Sequence, residues 1–306
     1  AFRSAHLGNV PIHLVKAHPM GKNPVTGIRM ATIQAAEYYG LRRTGAVAPG
    51  YQADLLVLDD LERVLVRDVY QNGRKVVSEG RLLPFPEPEG KQELTQTVLH
   101  SFRLRELEPE DFLVKERGVC SCRVIGILQD QLLTEERVRK IDFDRRNGID
   151  TGRDLIKTAV IERHRNTGHT GLGFIEGTGI QYGAIASSVS HDSHNLIVMG
   201  ADEKDMAFAA NRIRSLGGGM AVVRDGKVEA EMPLPYAGLM TDRTAAEAAS
   251  QNEQVRAALR KLGVPENREL FMTTAFVSLP VIPHLKLTTR GLVDVDRQKL
   301  VPLITG

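Results

Sequence analysis

The residues best suited to chemistry lie between Gly183 and Gly200, in the segment GAIASSVSHDSHNLIVMG. Imidazole and carboxylate groups can bind a divalent metal or carry a proton, and with hydroxyl and amide groups they can hydrogen-bond a heteroaromatic ring. Such clusters are candidate functional sites, so we predict a binding role for this segment, which we call the 190–195 turn. Its six polar residues are Ser190, His191, Asp192, Ser193, His194 and Asn195.

A purely structural interpretation of the 190–195 turn stays open. Ser, Asp and Asn favour turns because their short side chains hydrogen-bond the nearby backbone. Two histidines three positions apart, His191 and His194, are less easily explained in this way. The residue types alone therefore leave a binding site and a simple turn as alternatives.

Two apolar runs must position this turn. Residues 184–189 and 196–199 are short, contain β-branched side chains and are bordered by glycine, which predicts two buried strands. The glycine-rich residues 168–183 precede them and miss the G-x-G-x-x-G spacing by one residue. A strand rather than a helix is predicted to follow these glycines, so we exclude a nucleotide-binding loop.

The elements after the turn carry strong local signals. Asp202 predicts the start of a helix, and the glycines at 217–219 predict its end. Asp225-Gly226 predicts a hairpin. The sequence Thr244-x-x-Glu247 is a capping box, which predicts a further helix.

Other segments of this half give weaker patterns. We predict a strand in 94–104, a turn or short helix at 109–112, a strand at 119–128, a short polar element at 134–141, a helix across 151–165, and an irregular segment with one strand at 271–295. His164 and His169 would then flank the carboxyl end of that helix as structural residues. Glu176 is predicted to be a solvated loop carboxylate.

The first ninety residues predict a smaller unit. Asn23-Pro24 should begin a helix that runs to residue 39 and ends at Gly40. A strand at 53–58 and a hairpin around Asn72-Gly73 follow. The prolines and glutamates after residue 83 indicate a linker, so we expect a domain boundary near residue 90. We predict surface positions for the early histidines His6, His13 and His18.

Composition limits the classes of function. The 306 residues are ordinary for a globular protein and predict two units. A net charge of +2, no dense Lys/Arg cluster and no Trp argue against nucleic acid as a partner. No apolar run approaches the ~20 residues of a membrane span. Cys120 and Cys122 are too close to form a disulfide readily, so we expect a reducing, cytoplasmic location. The absence of an initial Met leads us to expect a fragment or a processed piece.

Two sets of motifs resemble known families. MATIQAAEYYGL (30–41) followed by GAVAPGYQADLLVLDDL (45–61) resembles the closing segment of the amidohydrolase superfamily. In that superfamily the last helix of a metal-dependent (β/α)8 barrel returns the chain to a small β-domain. Three further motifs resemble the C-terminal domain of the adenine deaminase family. They are GLGFIEGTGIQYGAIASSVSHDSHNLIVMG (171–200), EMPLPYAGLM (231–240) and SLPVIPHLKLTTRGL (278–292).

The resemblance implies an α+β fold in three parts. Residues 1–44 would be the end of the amidohydrolase barrel, 45–90 part of the small β-domain, and 91–306 the C-terminal α+β domain. The family hydrolyses adenine to hypoxanthine and ammonia by attack of a metal-activated hydroxide at C6. This implies a place in purine salvage and a binuclear centre of manganese or iron.

The family's metal ligands include a His-x-His that this sequence does not contain. We therefore expect the metals to be held mainly by the remainder of the barrel, and this chain alone to be inactive. Adenine, the remainder of the barrel and further copies in a homo-oligomer are the expected partners. Alternatives are an amidohydrolase that acts on another aminated heterocycle, or a non-catalytic dimerisation or lid domain.

The resemblance leaves three roles for the 190–195 turn. It could act as a lid in which His191, Asp192 and His194 contact the purine edge or exclude water. The same three residues could hold an accessory manganese, iron or zinc ion. The third role is structural, with Asp192 orienting a histidine while Ser190 and Asn195 satisfy backbone groups at the strand ends.

Overall fold

Residues 14–15, 21, 23–84, 95–99, 101–129 and 131–305 are described by a computed structural model of the chain. The chain divides into two units, Ala1–Lys91 and Gln92–Gly306, and each is treated by itself below. Helices and sheets occur in both, so the α+β class predicted from the sequence is confirmed. The three early histidines and most of the proline-rich linker lie outside the described residues.

The described part of the first unit contains two short helices, α1 (Pro24–Ala31) and α2 (Ile33–Tyr38). As predicted, Asn23 begins α1, since its side chain accepts a hydrogen bond of 2.9 Å from the backbone nitrogen of Val25. The prediction of one continuous helix is wrong, because the backbone leaves helical geometry at Thr32. The Thr32 hydroxyl donates to the carbonyl of Ile28, and such side-chain bonds compete with the regular helix.

A four-stranded antiparallel sheet completes the first unit, with strands in the order β1 (Leu55–Asp60), β2 (Leu65–Gln71), β3 (Arg74–Ser78) and β4 (Arg81–Leu82). The predicted hairpin is confirmed, with Asn72 and Gly73 both in the left-handed region. Within 14–15, 21 and 23–84, only Ala36 and Val64 are buried apolar side chains. This unit therefore buries little apolar surface among its own described residues.

The second unit is built on an eight-stranded sheet. All neighbouring strands in it are antiparallel except β5 and β8, which run parallel. The strands are β5 (Val119–Ile127), β6 (Thr134–Asp142), β7 (Leu155–Ile161), β8 (Thr170–Glu176), β9 (Ala184–Ser187), β10 (Leu196–Gly200), β11 (Gly219–Arg224) and β12 (Lys227–Pro233). Their spatial order in the sheet is β12-β11-β9-β10-β7-β8-β5-β6.

Helices and a small sheet cover the two faces of the large sheet. They are α4 (Glu203–Leu216), α5 (Ala245–Lys261), α6 (Leu270–Val277), β13 (Leu285–Thr288), β14 (Gly291–Asp294) and β15 (Lys299–Val301). One further short helix, α3 (Thr95–Leu99), precedes the large sheet in the chain. Val198 of β10 lies in the core cluster formed with α4, while its neighbour Met199 accepts a hydrogen bond from Thr274 of α6. Because successive strand residues point to opposite faces, α4 and α6 cover opposite sides of the sheet.

The strong local signals of the second unit are confirmed. The Asp202 carboxylate accepts hydrogen bonds from the first turn of α4, and Gly217 ends this helix in the left-handed conformation. The capping box at Thr244 and Glu247 forms at the start of α5. The strand pairs β9–β10 and β11–β12 also form where the sequence predicts them.

The prediction of a helix across 151–165 is wrong, because Leu155–Ile161 forms strand β7. This segment is apolar or uncharged at every position except Lys157, and all seven residues are buried. β7 lies between β8 and β10, so both of its faces are covered. A strand buried on both faces shows no two-residue alternation, which explains the error. His164 and His169 therefore do not flank a helix.

Three other predictions are also wrong. Residues 95–99 of the predicted strand form helix α3, and the predicted irregular segment at 271–295 contains α6 and two strands. The prediction of a short polar element at 134–141 is not among them, because this segment forms the polar edge strand β6. Glu176 is not solvated: its side chain is 8% exposed and pairs with Arg137 and Arg139. The arginines lie on β6 and the glutamate on β8, on either side of β5. Because these charged side chains satisfy one another across a third strand, no local pattern reveals them.

Strand β8 carries two glycines that allow a direct test of the packing between the sheets. A methyl group at Gly171 would overlap the carbonyl oxygen of Thr288, whereas one at Gly173 would lie 3.4 Å or more from Leu287 and Leu292. Gly171→Ala should lower the free energy of unfolding by about 2 kcal/mol or more, since backbone must move. The matched control Gly173→Ala should change it by less than about 1 kcal/mol. Urea denaturation of both variants measures the difference in the free energy of unfolding. Equal losses of stability in the two variants would contradict the close packing of Gly171 against Thr288.

Candidate functional site

The 190–195 turn joins two strands at the centre of the large sheet. β9 and β10 pair with each other, and each has a second strand on its other side, β11 and β7 respectively. Every residue of both strands is buried. The backbone nitrogen of His194 donates to the carbonyl of Ser190, at 2.6 Å, which closes the turn. The turn is therefore mounted on a rigid base, as the sequence predicts.

The six predicted site residues do not all face the same way. Ser190 is buried, and its hydroxyl shares a hydrogen bond with the hydroxyl of Ser278. Asn195 is also buried, with 9% of its surface exposed. Asp192 and Ser193 are exposed at the tip. His191 and His194 are half-buried between these two groups.

Helix α6 packs against the turn and supplies an aromatic neighbour. The His191 ring lies on the ring of Phe276, with centroids 4.8 Å apart and planes tilted by 31°. The ring of His194 lies 5.8 Å from that of His191. The His191 backbone nitrogen donates to the carbonyl of Ala275, at 2.9 Å, so the histidine is anchored to the helix by backbone and ring. Together these rings form a small aromatic surface.

A buried arginine that the sequence reading missed holds the turn from behind. The Arg163 side chain follows β7 and is 1% exposed. Its Nε donates to the carbonyl of His194 at 2.7 Å, and its Nη2 donates to that of Ala237 at 2.8 Å. The guanidinium also lies 4.9 Å from the Phe102 ring centroid. Burial lowers its pKa to about 10. A single basic residue after an apolar run gives no local signal of this role.

A second contact fixes the tip of the turn. His164 Nε2 lies 2.7 Å from the carbonyl oxygen of Ser193, within hydrogen-bonding distance. The segment that carries His164 is itself held by the Glu162 carboxylate. Burial raises the pKa of this carboxyl, but hydrogen bonds from the backbone of Thr167, Arg165 and His164 outweigh burial and bring it to about 2. His164 thus contacts the 190–195 turn and does not lie at the end of a helix.

The electrostatic surroundings favour a neutral His194. Burial lowers the pKa of its imidazole, and the nearby charges of His191 and Arg163 lower it further. Asp192 acts in the opposite direction, and His164 contributes a small lowering. An uncharged imidazole can donate from one ring nitrogen and accept at the other. His194 therefore offers hydrogen bonding without a fixed charge.

The arrangement does not form a metal-ligand group. His191 Nδ1 lies 3.9 Å from Asp192 Oδ1. Throughout the part of the chain that the structure describes, no three His, Cys, Asp or Glu side chains converge as metal ligands would. The described residues do not by themselves fit a metal centre.

The Arg163 contacts predict a large effect on stability. Arg163→Leu should lower the free energy of unfolding by about 2–4 kcal/mol, because it leaves two partly buried carbonyl groups without donors. The control Arg165→Leu removes an exposed arginine two residues away and should cost less than about 0.5 kcal/mol. Chemical denaturation of the two variants provides the comparison. If Arg163→Leu lowered the free energy of unfolding no more than Arg165→Leu, the hydrogen bonds from Arg163 to the two carbonyl groups would contribute nothing to stability.

The lowered pKa of His194 predicts a pH dependence of stability. The unfolded state, with an ordinary histidine pKa of about 6.5, binds a proton more readily than the folded state. Stability should therefore fall as the pH is lowered through about 6.5, and His194→Gln should remove part of this slope. Denaturation at pH 7.5 and 5.5 measures it, with the exposed His169→Gln as control. A slope that is unchanged in His194→Gln would refute the assignment.

Comparison with known proteins gives two family matches. The family model of the adenine deaminase C-terminal domain matches residues 131–299, which is more than half of the chain. The model of the amidohydrolase family matches residues 9–83. These matches agree with the two resemblances seen in the sequence, and they fall one after the other along the chain.

Curated relatives extend the similarity over nearly the whole chain. It is 44% identical over 301 residues to an adenine deaminase of Methanothrix thermoacetophila, 97% of this chain and 51% of that protein. It is 42% identical over 295 residues to adenine deaminase 2 of Carboxydothermus hydrogenoformans, 95% of this chain and 50% of the relative. The chain thus spans about half the length of the curated relatives it matches. It belongs to the adenine deaminase family.

Proposed function

We propose that the full-length protein hydrolyses adenine to hypoxanthine and ammonia. The observation that carries this proposal is the similarity to proteins named adenine deaminase along 95% or more of the chain. In this reaction an oxygen of water bonds to C6 while the C6–N bond to the exocyclic amine breaks. The amine takes up a proton and leaves as ammonia, so proton transfer must accompany attack.

We propose that the two units correspond to different parts of the full-length protein. Residues 1–44 would be the end of a (β/α)8 barrel, 45–90 part of a small β-domain, and 91–306 the C-terminal α+β domain. The amidohydrolase match at 9–83 supports the first two assignments. So do the exposed apolar side chains of the first unit, such as Tyr38 at 83% and Leu82 at 66%, which the remainder of the barrel would cover.

The amidohydrolase family is generally metal-dependent, and we propose a binuclear manganese or iron centre for the full-length protein. Its ligands would lie mainly outside this chain, in the remainder of the barrel. The contribution of this chain would be to bind and to shield the substrate, and the 190–195 turn, with its exposed tip, is the candidate lid.

Location and assembly are parts of the same proposal. The two cysteines, Cys120 and Cys122, are free, which supports a reducing, cytoplasmic location. No helix among the described residues is long and apolar enough to cross a membrane. We propose a homo-oligomer in line with the resemblance.

Ammonia release tests the proposed reaction. The full-length protein, supplied with manganese or iron, should release ammonia from adenine and at most slowly from guanine or cytosine. The 306-residue chain alone should release none, and a chelator should abolish the activity of the full-length protein. A full-length protein that prefers another aminated heterocycle, or that remains active after metal removal, would contradict the proposal. Activity of the 306-residue chain alone would show that the remainder of the barrel is dispensable.

A further inference from the structure

Two buried polar atoms of the 190–195 turn have no hydrogen-bond partner among the described residues. They are His194 Nδ1 and Asn195 Oδ1, and less than 1 Å² of each atom is accessible. A buried polar atom without a partner carries a free-energy penalty. Such atoms are uncommon in folded proteins and call for an explanation. Here two of them belong to adjacent residues.

The surrounding polar groups are satisfied, so poor packing of the region does not explain the two atoms. The Ser188 hydroxyl donates to the carbonyl of Gly238 at 2.6 Å and accepts from the backbone nitrogen of Gly219 at 2.8 Å. The Ser190 and Ser278 hydroxyls are hydrogen-bonded to each other. Within the 190–195 turn, the unmade hydrogen bonds belong to the two residues that end it.

The two residues offer uncharged donors and acceptors next to an aromatic surface. The carboxamide of Asn195 can donate and accept, and so can a neutral imidazole at His194. Arg163 fixes the backbone carbonyl of His194, at 2.7 Å, and so holds this residue in place. The His191 ring, which stacks on Phe276, lies 5.8 Å from the ring of His194. A planar aromatic surface with adjacent uncharged hydrogen-bonding groups suits a flat nitrogen heterocycle.

We propose that the 190–195 turn binds a purine base with a 6-amino group, and that the second unit does so by itself. Asn195 would accept a hydrogen bond from the exocyclic amine and donate one to N7, the pairing by which a carboxamide recognises adenine. His194 would bind a second polar atom of the base, which would stack near His191 and Phe276. The location rests on the structure, and the choice of a purine rests on the proposed function.

Binding must be accompanied by movement of the tip. The two atoms are closed to solvent in the described form, so a base reaches them only if part of the turn moves. Asp192 is 83% exposed at its side chain, and its nearest charged neighbour, His191 Nδ1, is 3.9 Å away. Opening the tip would break the contact between His164 Nε2 and the carbonyl of Ser193. The exposed Asp192 side chain has no hydrogen bond among the described residues that would be broken with it.

Equilibrium dialysis of the 306-residue chain against labelled adenine, without added metal, tests the proposal. We expect saturable binding of adenine at one site. The analogue 7-deazaadenine lacks the N7 acceptor and should bind about tenfold more weakly, as expected for the loss of one hydrogen bond. Asn195→Leu should weaken adenine binding about tenfold or more. It should also raise the Tm of the free chain, because it removes an unsatisfied buried atom.

Thr158→Val is the matched control. Thr158 Oγ1 is also buried without a partner, but it lies on β7 and outside the turn. Its replacement should raise the Tm and leave adenine binding unchanged. The proposal is overturned by any of three results: no saturable binding, equal binding of adenine and 7-deazaadenine, or undiminished binding by Asn195→Leu. A lower Tm of Asn195→Leu with unchanged binding would indicate a buried water only.

The outcome is separable from that of the proposed function. Ammonia release by the full-length protein without adenine binding by the chain would overturn the turn as a binding site and leave the deaminase activity standing. Adenine binding by the chain without deaminase activity in the full-length protein would overturn the proposed reaction and leave the turn standing as a binding site.

Discussion

The buried guanidinium of Arg163 is the constraint on which the local structure depends. A cation removed from water is costly unless its donors are satisfied, and this one has no carboxylate bound to it among the described ion pairs. Two carbonyl groups and the Phe102 ring take that place. Since the carbonyls belong to His194 and Ala237, the arginine joins the end of β7, the 190–195 turn and the segment after β12. These three segments must be in position together.

Strand β7 carries a second buried cation whose donors are satisfied by other elements. Lys157, 1% exposed, donates to the carbonyl of Phe112 at 2.8 Å and to the Glu203 carboxylate at 2.6 Å. Burial lowers the pKa of this lysine, and the Glu203 carboxylate opposes that shift. The central strand thus carries one buried cation and leads into another, each satisfied by groups from other elements. The sheet is specified by long-range polar contacts as well as by apolar packing.

The sequence predicts what short stretches of chain determine. The caps at Asn23, Asp202 and Thr244 depend on side chains within three residues of the groups they bind, and all three were predicted correctly. The sequence predicts a helix where β7 forms, because the burial of both faces of this strand is decided by its neighbours in the sheet. The two strands that hold the 190–195 turn could be located from the apolar runs on either side.

The partners of the turn could not be predicted in the same way. Arg163 meets His194 across 31 positions of sequence, and Ser278 meets Ser190 across 88. The unsatisfied atoms of the turn appear only once these contacts are in place. The candidate residues therefore follow from the sequence, whereas their orientation and charge follow from the fold.

The hairpin β9–β10 has a consequence for how this protein can vary. Each of its strands is paired on both sides, and a slip of one residue would exchange the side chains that face α4 and α6. An inserted or deleted residue could not be absorbed by sliding either strand, so residues 188–195 would have to take it up alone. Those residues are pinned by Arg163, Ser278 and the backbone of α6. The loop can change by substitution, but its length is fixed by the sheet.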